Sequence, residues 1–418
     1  MVRFPKNVIK LFNSFIIVFI LVSLSNNKLT ATVPKNVDAV DGRVKVKKQT
    51  SKSAIFPYKD SGDNGSILSN GFWIPLGVEE VFDFTGFSHF RLKNGDIFTV
   101  TSGYNATVSS DNGKTWRSTR MVDATKYSMA SSECLQTKDG VIIVAFMNAK
   151  ERSWTWDNNI FDAPGATLPT YIVRSLDGGK TWLEPQKLHG DWTGAIRAII
   201  ETESRSVIIT SMMLLHNPGR HAVLTYKSDD NGETWQRSDI LDNKNSRGNH
   251  AGLMESTIVQ LKDGRIWQLI RTNWDYFYES FSSDEGLTWS VPMKTDIDAS
   301  SSPGALTRLK SGRLVLVWNR MYPEGETTTT LYDNSAEVKA SYMRHQLSIM
   351  FSDDDGKTWL TPTVLAKAYN YTPPNDGSWD TSRWLSYPHI FEIEPGILII
   401  STENGGLRIK LKEEDFLR

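Results

Sequence analysis

The sequence predicts an all-β protein, a six-bladed β-propeller, on three observations. An octapeptide of the form S-x-D-x-G-x-T-W occurs five times in the 418 residues, a weaker hairpin pattern alternates with it, and no run of helical periodicity stands out between residues 70 and 418. The octapeptides carry their aspartates at Asp111, Asp177, Asp230, Asp284 and Asp354, spaced 66, 53, 54 and 70 residues apart. In each copy the Asp can accept backbone N–H groups two or three residues on, and the Gly accepts a positive φ. Thr and Trp then open a strand, with the Trp suited to packing between sheets.

The second pattern is an apolar residue and Leu-Lys-x-Gly, or a near variant, followed by an apolar strand. It turns at Gly95, Gly140, Gly264, Gly312 and Gly396, and a degenerate member spans residues 201–209. Six such hairpins alternating with five octapeptides give six units of about four strands, with residues 70–80 and 405–412 expected to close the ring.

Residues 1–31 differ from the rest. Arg3, Lys6 and Lys10 precede an apolar run from Phe15 to Val22, and polar residues follow, with no acid anywhere in the segment. That layout is read as a signal peptide over 1–31, too short in its apolar part for a comfortable membrane span. The expectation is a secreted or periplasmic protein with no membrane span in the mature form. Residues 32–70, rich in Lys, Ser and Asp, are read as a linker or N-terminal segment, and 71–418 as the propeller. Lys and Arg number 47 against 48 Asp and Glu. That balance gives no polyanion-coating surface, and no nucleic acid is expected as partner. The single cysteine, Cys134, excludes an internal disulfide and Cys-rich metal centres. No cofactor or metal is required by any motif present.

The five octapeptides resemble the Asp-boxes of sialidases and related BNR-repeat proteins, and the resemblance covers residues 70–410. Asp-boxes are structural, so the likeness bears first on the fold. It also supplies a ruler for the site. Nine residues before the hairpin glycines of the fourth and sixth units stand Glu255 and Tyr387, where sialidases carry a base and a tyrosine nucleophile. Arg271 and Arg344 resemble two of the three arginines that clamp the substrate carboxylate. A phenol is a poor nucleophile at neutral pH and needs a carboxylate to take its proton, while guanidinium pairs a sugar carboxylate bidentately.

Two departures accompany the resemblance. The first unit lacks the expected arginine at its inner-strand start, since Arg91 falls too close to the turn and Thr85 or Gly86 holds the comparable place. The loop that carries the general-acid Asp is also nearly absent. Arg197 is a candidate to restore the clamp from another blade, and Asp157 or Asp162 to act as acid. His250 and His389 near inner-strand starts are candidates for proton transfer, and His89 for substrate contact. Trp154, Trp156 and Asp157, in a long insertion of the second unit, are read as a wall of a saccharide site, with Trp379 and Trp384 in a similar loop beside Tyr387.

Three functions remain open at this level. One is exo-glycosidase action of the sialidase kind on an acidic oligosaccharide bearing a sialic or uronic acid. Another is a uronate lyase or dehydratase that forms an unsaturated product. The third is a glycan-binding propeller without catalysis.

Overall fold

A computed structural model describes residues 47–50, 64–244, 246, 248–249, 251–321, 326–331, 337–339, 344–371, 381 and 383–417. The signal-peptide reading of 1–31, and with it His250 and Trp379, lies outside the described residues.

Each hairpin pattern folds as the inner pair of a four-stranded antiparallel sheet, and each octapeptide turns the third strand into the fourth. The first four sheets take their strands in sequence order. Their inner strands are His89–Arg91, Met129–Gln136, Ile199–Glu201 and Met254–Gln260. The fifth sheet starts at Ala305–Arg308 and the sixth at Pro388–Glu394. Six such sheets around one axis make a six-bladed propeller. Helix is confined, among the described residues, to two 3-10 turns, Ala149–Glu151 and Glu413–Phe416. No described helix is long and apolar enough to cross a membrane.

The sixth blade has only three strands of its own. Its fourth, Val78–Glu80, comes from the beginning of the propeller and pairs with Arg408–Lys412, joining Leu411 to Val78 and Ile409 to Glu80. Within the segment read as a linker, 32–70, the described residues include paired strands. Gly65–Ile67 and Phe72–Pro75 form a hairpin that extends the fifth blade from Thr363–Ala368. Lys47–Thr50 pairs with Glu326–Leu331, which is itself paired to Glu337–Lys339.

The core lies between blades rather than within one. Val315, Val317, Ile349 and Phe351 of the fifth blade pack on Leu398, Ile400 and Ile409 of the sixth, all essentially without exposure. Val144 and Phe146 of the second blade meet Phe98 and Ala106 of the first in the same way. Middle strands buried on both faces explain the near-continuous apolar runs that follow each hairpin glycine.

The five octapeptide turns share one set of bonds. In the second, Thr181 donates its N–H to Asp177 Oδ1 (2.9 Å) and its hydroxyl to Oδ2 (2.7 Å), while Ser175 Oγ accepts the Gly179 N–H (2.8 Å). The residue before each glycine also takes a positive φ, at Asn112, Gly178, Asn231, Glu285 and Asp355. The sequence reading gave that conformation to the glycine alone. Two successive left-handed residues match the twist of a tight hairpin. The glycine has a second duty, because a Cβ on Gly113 would lie 2.2 Å from Phe84 and one on Gly356 2.6 Å from Trp267. These two turns are thereby pressed against a neighbouring element where no side chain fits.

The Asp111 carboxyl is held down at about 2 by the Thr115 hydroxyl and then its N–H, and Asp177 at about 2 by the Thr181 N–H and then its hydroxyl. A carboxyl whose folded pKa lies below its unfolded value stabilises the fold above the unfolded pKa, near 4, and loses that contribution as pH falls toward the folded one. Melting temperature is therefore expected to drop progressively between about pH 4 and pH 2. Asp177→Asn should flatten part of that acid limb in thermal unfolding followed by circular dichroism.

Candidate active site

The inner strands begin around one mouth of the central channel, and the chain does something irregular at the two places that matter most. In the fourth blade, the register between the first two strands slips at Glu255, so that Met254 faces Arg271 and Ser256 faces Ile270. A bulge of this kind re-aims the extra residue's side chain. In the sixth blade, Tyr387 precedes the strand with φ of +60°, an unusual conformation for a bulky residue.

That turn is held from several sides. Arg197 donates to the Pro388 carbonyl at 2.8 Å, and the Glu403 N–H reaches the Tyr387 carbonyl at 3.2 Å. Asn404 donates to Ser386 Oγ at 2.7 Å, and Asn319 to the Leu385 carbonyl at 2.7 Å. Strain of order 1–3 kcal/mol persists only where the surroundings over-determine it, as they do here.

The two irregular residues meet. Tyr387 Oη donates to Glu255 Oε1 at 2.8 Å. Arg271 Nη1 binds Glu255 Oε2 and also donates to Tyr387 Oη at 3.2 Å. Both Arg271 Nε and Nη2 bond Ser301 Oγ, at 3.3 and 3.0 Å, and that hydroxyl donates to Asn273 Oδ1 at 2.5 Å. Arg344 donates to the Ser301 carbonyl, with its guanidinium carbon 4.4 Å from the Trp384 ring centroid and 5.8 Å from that of Tyr387. Arg197 approaches the same Tyr387 ring from the third blade, at 5.1 Å. Burial, and after it the Glu255 charge, push the Tyr387 phenol up to about 12. The phenol therefore keeps its proton at neutral pH, and the atom placed to receive it is Glu255 Oε1.

The structure thus brings together Tyr387, Glu255, Arg271, Arg344 and Arg197. Arg197 differs from the other two arginines in being engaged by Glu403 Oε1 at 2.6 Å as well as by Pro388. His389 follows Tyr387 by two residues and lies between Glu403 and Glu133.

The remaining candidates are placed elsewhere. His89 Nε2 bonds the Thr85 carbonyl at 2.7 Å, and the ring packs among Phe84, Trp116 and Phe391. Burial lowers it to about 4, so the ring is neutral at physiological pH. Trp154 and Trp156 stack on each other, and Trp154 lies against Trp192 and His221. Their faces are spent on the loop and the third blade, so the wall reading lacks the open Trp faces it assumed. Asp157 closes a small bridge with Asp162 and caps the Asn159 N–H at 2.8 Å.

Asp162 is a structural anchor. It takes His216 Nδ1 at 2.7 Å and the N–H groups of Ala163 and Asn217 at 2.7 and 3.1 Å. Burial opposes its charge, but these bonds prevail and hold the carboxyl below the usual range, the opposite of what a general acid needs. Arg91 bonds the Gly95 and Ile393 carbonyls at the hairpin end. A Cβ on Gly86 would lie 2.2 Å from Thr99 Oγ1, so no side chain fits at that place on the first blade.

Residues 163–400 match the family model described as a BNR repeat-like domain. The chain belongs to the BNR repeat-like family. A sialidase of Clostridium perfringens is 26% identical over 205 residues, 44% of this chain and 51% of that protein, so the chain spans about half the length of this curated relative. Among solved structures, a protein of unknown function from Dyadobacter fermentans superposes with a TM-score of 0.53 at 17% identity, covering 80% of this chain and 98% of that one. The NanB sialidase from Streptococcus pneumoniae gives 0.51 at 14% identity, covering 84% and 72%. These likenesses show the sialidase-like propeller fold, one used by glycoside hydrolases.

In this BNR-repeat chain, sequence reasoning missed Ser301, Glu133 and Glu403. Ser301 sits in a serine run between blades that carries no motif, and Glu403 lies past the end of a second strand, where the ruler from the hairpin glycine does not reach. Among the described residues, no group of three or more His, Cys, Asp or Glu side chains is placed to hold a metal ion.

Asp162→Ala is expected to lower stability by about 1–3 kcal/mol, because it strands the buried Ala163 N–H and releases the Asn217 N–H and His216 ring that pin the insertion to the third blade. Urea unfolding measures this directly.

Proposed function

We propose that the protein is an exported, retaining exo-glycosidase acting on a terminal sugar that bears a carboxylate, with sialic acid as the leading substrate. The observation that carries the reading is the 2.8 Å contact between Tyr387 Oη and Glu255 Oε1 beneath two arginines from neighbouring blades. A curated relative of the chain is a sialidase, which favours the same chemistry.

Arg271 and Arg344 hold the substrate carboxylate and so fix the sugar over Tyr387. Tyr387 Oη attacks the anomeric carbon while Glu255 Oε1 takes the phenolic proton, so no free phenolate is needed from a group at about 12. The glycosidic bond breaks, the departing oxygen takes its proton from solvent water, and a glycosyl-tyrosine forms. Water then attacks the same carbon and releases a proton to solvent, Tyr387 leaves, and Glu255 returns the stored proton to the phenolic oxygen, which gives retention through two inversions. Moving the proton in step with attack also avoids placing a second anion beside the Glu255 carboxylate.

Tyr387→Phe removes the nucleophilic oxygen and should lower kcat at least about 100-fold on an aryl sialoside. Activity equal to wild type would end this mechanism. Arg344→Ala should raise KM more than it lowers kcat, because its guanidinium serves binding of the carboxylate in ground and transition state alike.

One observation favours a second reading. Asp162, a candidate acid, is tied to His216 and two backbone N–H groups, which leaves the sialidase scheme without that acid. On a uronate, the same clamp would acidify the carbon beside the carboxylate and lead to elimination. Mass spectrometry of products from sialyl and uronate oligosaccharides separates the two: hydrolysis adds a water, lyase action adds none, and dehydration removes one.

A further inference from the structure

Beside Tyr387 the channel holds a second buried polar group that the proposed reaction does not use. His389 places Nε2 2.9 Å from Glu403 Oε1 and Nδ1 3.4 Å from Glu133 Oε1. Ser88 donates to the other Glu133 oxygen at 2.7 Å. Arg197 Nη1 shares Glu403 Oε1 with the imidazole and lies 3.4 Å from Nε2, while its Nη2 carries the Pro388 carbonyl. These side chains come from the first, second, third and sixth blades. Glu133, Arg197 and His389 are each less than one-tenth exposed.

The arrangement favours one extra proton. Nε2 donates its hydrogen to Glu403 at 2.9 Å, and a carboxylate 3.4 Å from a bare Nδ1 would face its lone pair, a repulsion that a second hydrogen relieves. Either the ring is an imidazolium between two carboxylates, or it is neutral and one carboxyl is an acid. In both cases the group holds one proton more than neutral His389 with two carboxylates would. Burial pushes the Glu133 carboxyl up despite the opposing charges of His389 and Arg197, which favours keeping that proton near Glu133.

We propose that a proton shared by Glu133 and His389 holds Arg197, and through it the Tyr387 turn, in working position, so that Glu133 and His389 are positioning residues for the nucleophile. The inference rests on the reading of Tyr387 as nucleophile. While the proton stays, Glu403 balances Arg197, and Arg197 carries the carbonyl next to a residue in the left-handed region. When the proton leaves, the pocket gains a negative charge at Glu133 and a lone pair opposite it on His389. Arg197 is then drawn toward Glu133, the Pro388 carbonyl loses its donor, and the turn relaxes.

The other charged or titratable groups around this one do not mimic the effect. His89, at about 4, is neutral across the working range, and burial pushes the Cys134 thiol up, beyond it. Arg408, 5.5 Å from the Phe87 ring that stacks on His389, is a guanidinium throughout. Beyond Arg197 stand Glu255 and Tyr387, the latter at about 12.

The test pairs a measurement that needs no substrate with one that does. In protein labelled with ring ¹⁵N-histidine, with the His389 signals assigned through His389→Gln, the midpoint of the His389 transition should move by about one pH unit or more between wild type and Glu133→Gln. An unmoved midpoint overturns the shared proton. In kinetics, Glu133→Gln has no carboxylate to uncover, and the alkaline limb of kcat should move upward by about one unit or vanish, with little change in the pH dependence of KM. A limb unmoved, or a change confined to KM, overturns the positioning role. If Glu133→Gln does not fold, the His389→Gln profile serves: with one holder of the proton gone and Glu133 still present, the alkaline limb should shift by about one pH unit, and an unmoved limb overturns the proposal. A wild type inactive on every carboxylate-bearing glycoside would defeat the functional reading alone, and the NMR arm would still decide whether the proton is shared.

Discussion

Closure of the ring is the constraint on which the other features depend. A twisted sheet with both faces apolar must be covered on both sides, and in this chain each blade is covered by its neighbours. An open row of blades would leave two such faces in water. Pairing Val78–Glu80 with Arg408–Lys412 removes the ends, because the sixth blade is then built from both ends of the propeller. The apolar surface buried at one blade interface is thereby contingent on all six, and the first and last strands of the propeller are as structural as its middle.

Closure also explains why the site is where it is. Six inner strands begin at one mouth, so residues far apart in sequence arrive together without any loop reaching across. Glu255 and Tyr387 are separated by 132 positions yet share a hydrogen bond. The strands alone place side chains at regular intervals, and chemistry needs them off that grid. The bulge at Glu255 and the left-handed turn at Tyr387 provide the departures, and the turn is held by Arg197 and Asn319 of other blades together with Glu403 and Asn404 of its own.

Much of this was legible in the sequence because the repeated turns are local chemistry. Asp, Gly, Thr and Trp at fixed offsets specify a hairpin whatever surrounds it, and the hairpin glycine then measures the distance to the inner-strand start. Glu255 and Tyr387 were found with that ruler. It fails for contacts made across the channel. Arg197 stands near an inner-strand start, but nothing local shows that Glu403 and Pro388 engage it. His89 and Trp154 have the composition of site residues, yet their faces are used in packing, which only the neighbouring elements determine. Asp162 reads as a free acid in a loop, and its partners His216 and Asn217 lie on the next blade.

The charges inside the channel bear on how the site can discriminate. Arg271 is paired with Glu255 and Arg197 with Glu403, and Glu133 faces His389. Three arginines at one mouth suggest a strongly positive pocket, but protein carboxylates already meet Arg271 and Arg197. Among the described residues, an anionic group entering the site meets guanidinium groups already faced by carboxylates, not a deep electrostatic well. Its recognition then depends on geometry, on whether Arg271 and Arg344 can each offer a second N–H edge while keeping the bonds to Glu255 and Ser301. Such a pocket is selective for the shape and position of a carboxylate more than for charge, because a misplaced anion gains little and still has to leave water. The buried counter-charges also hold the guanidinium groups in place when the site is empty, so that little reorganisation remains at the moment of attack.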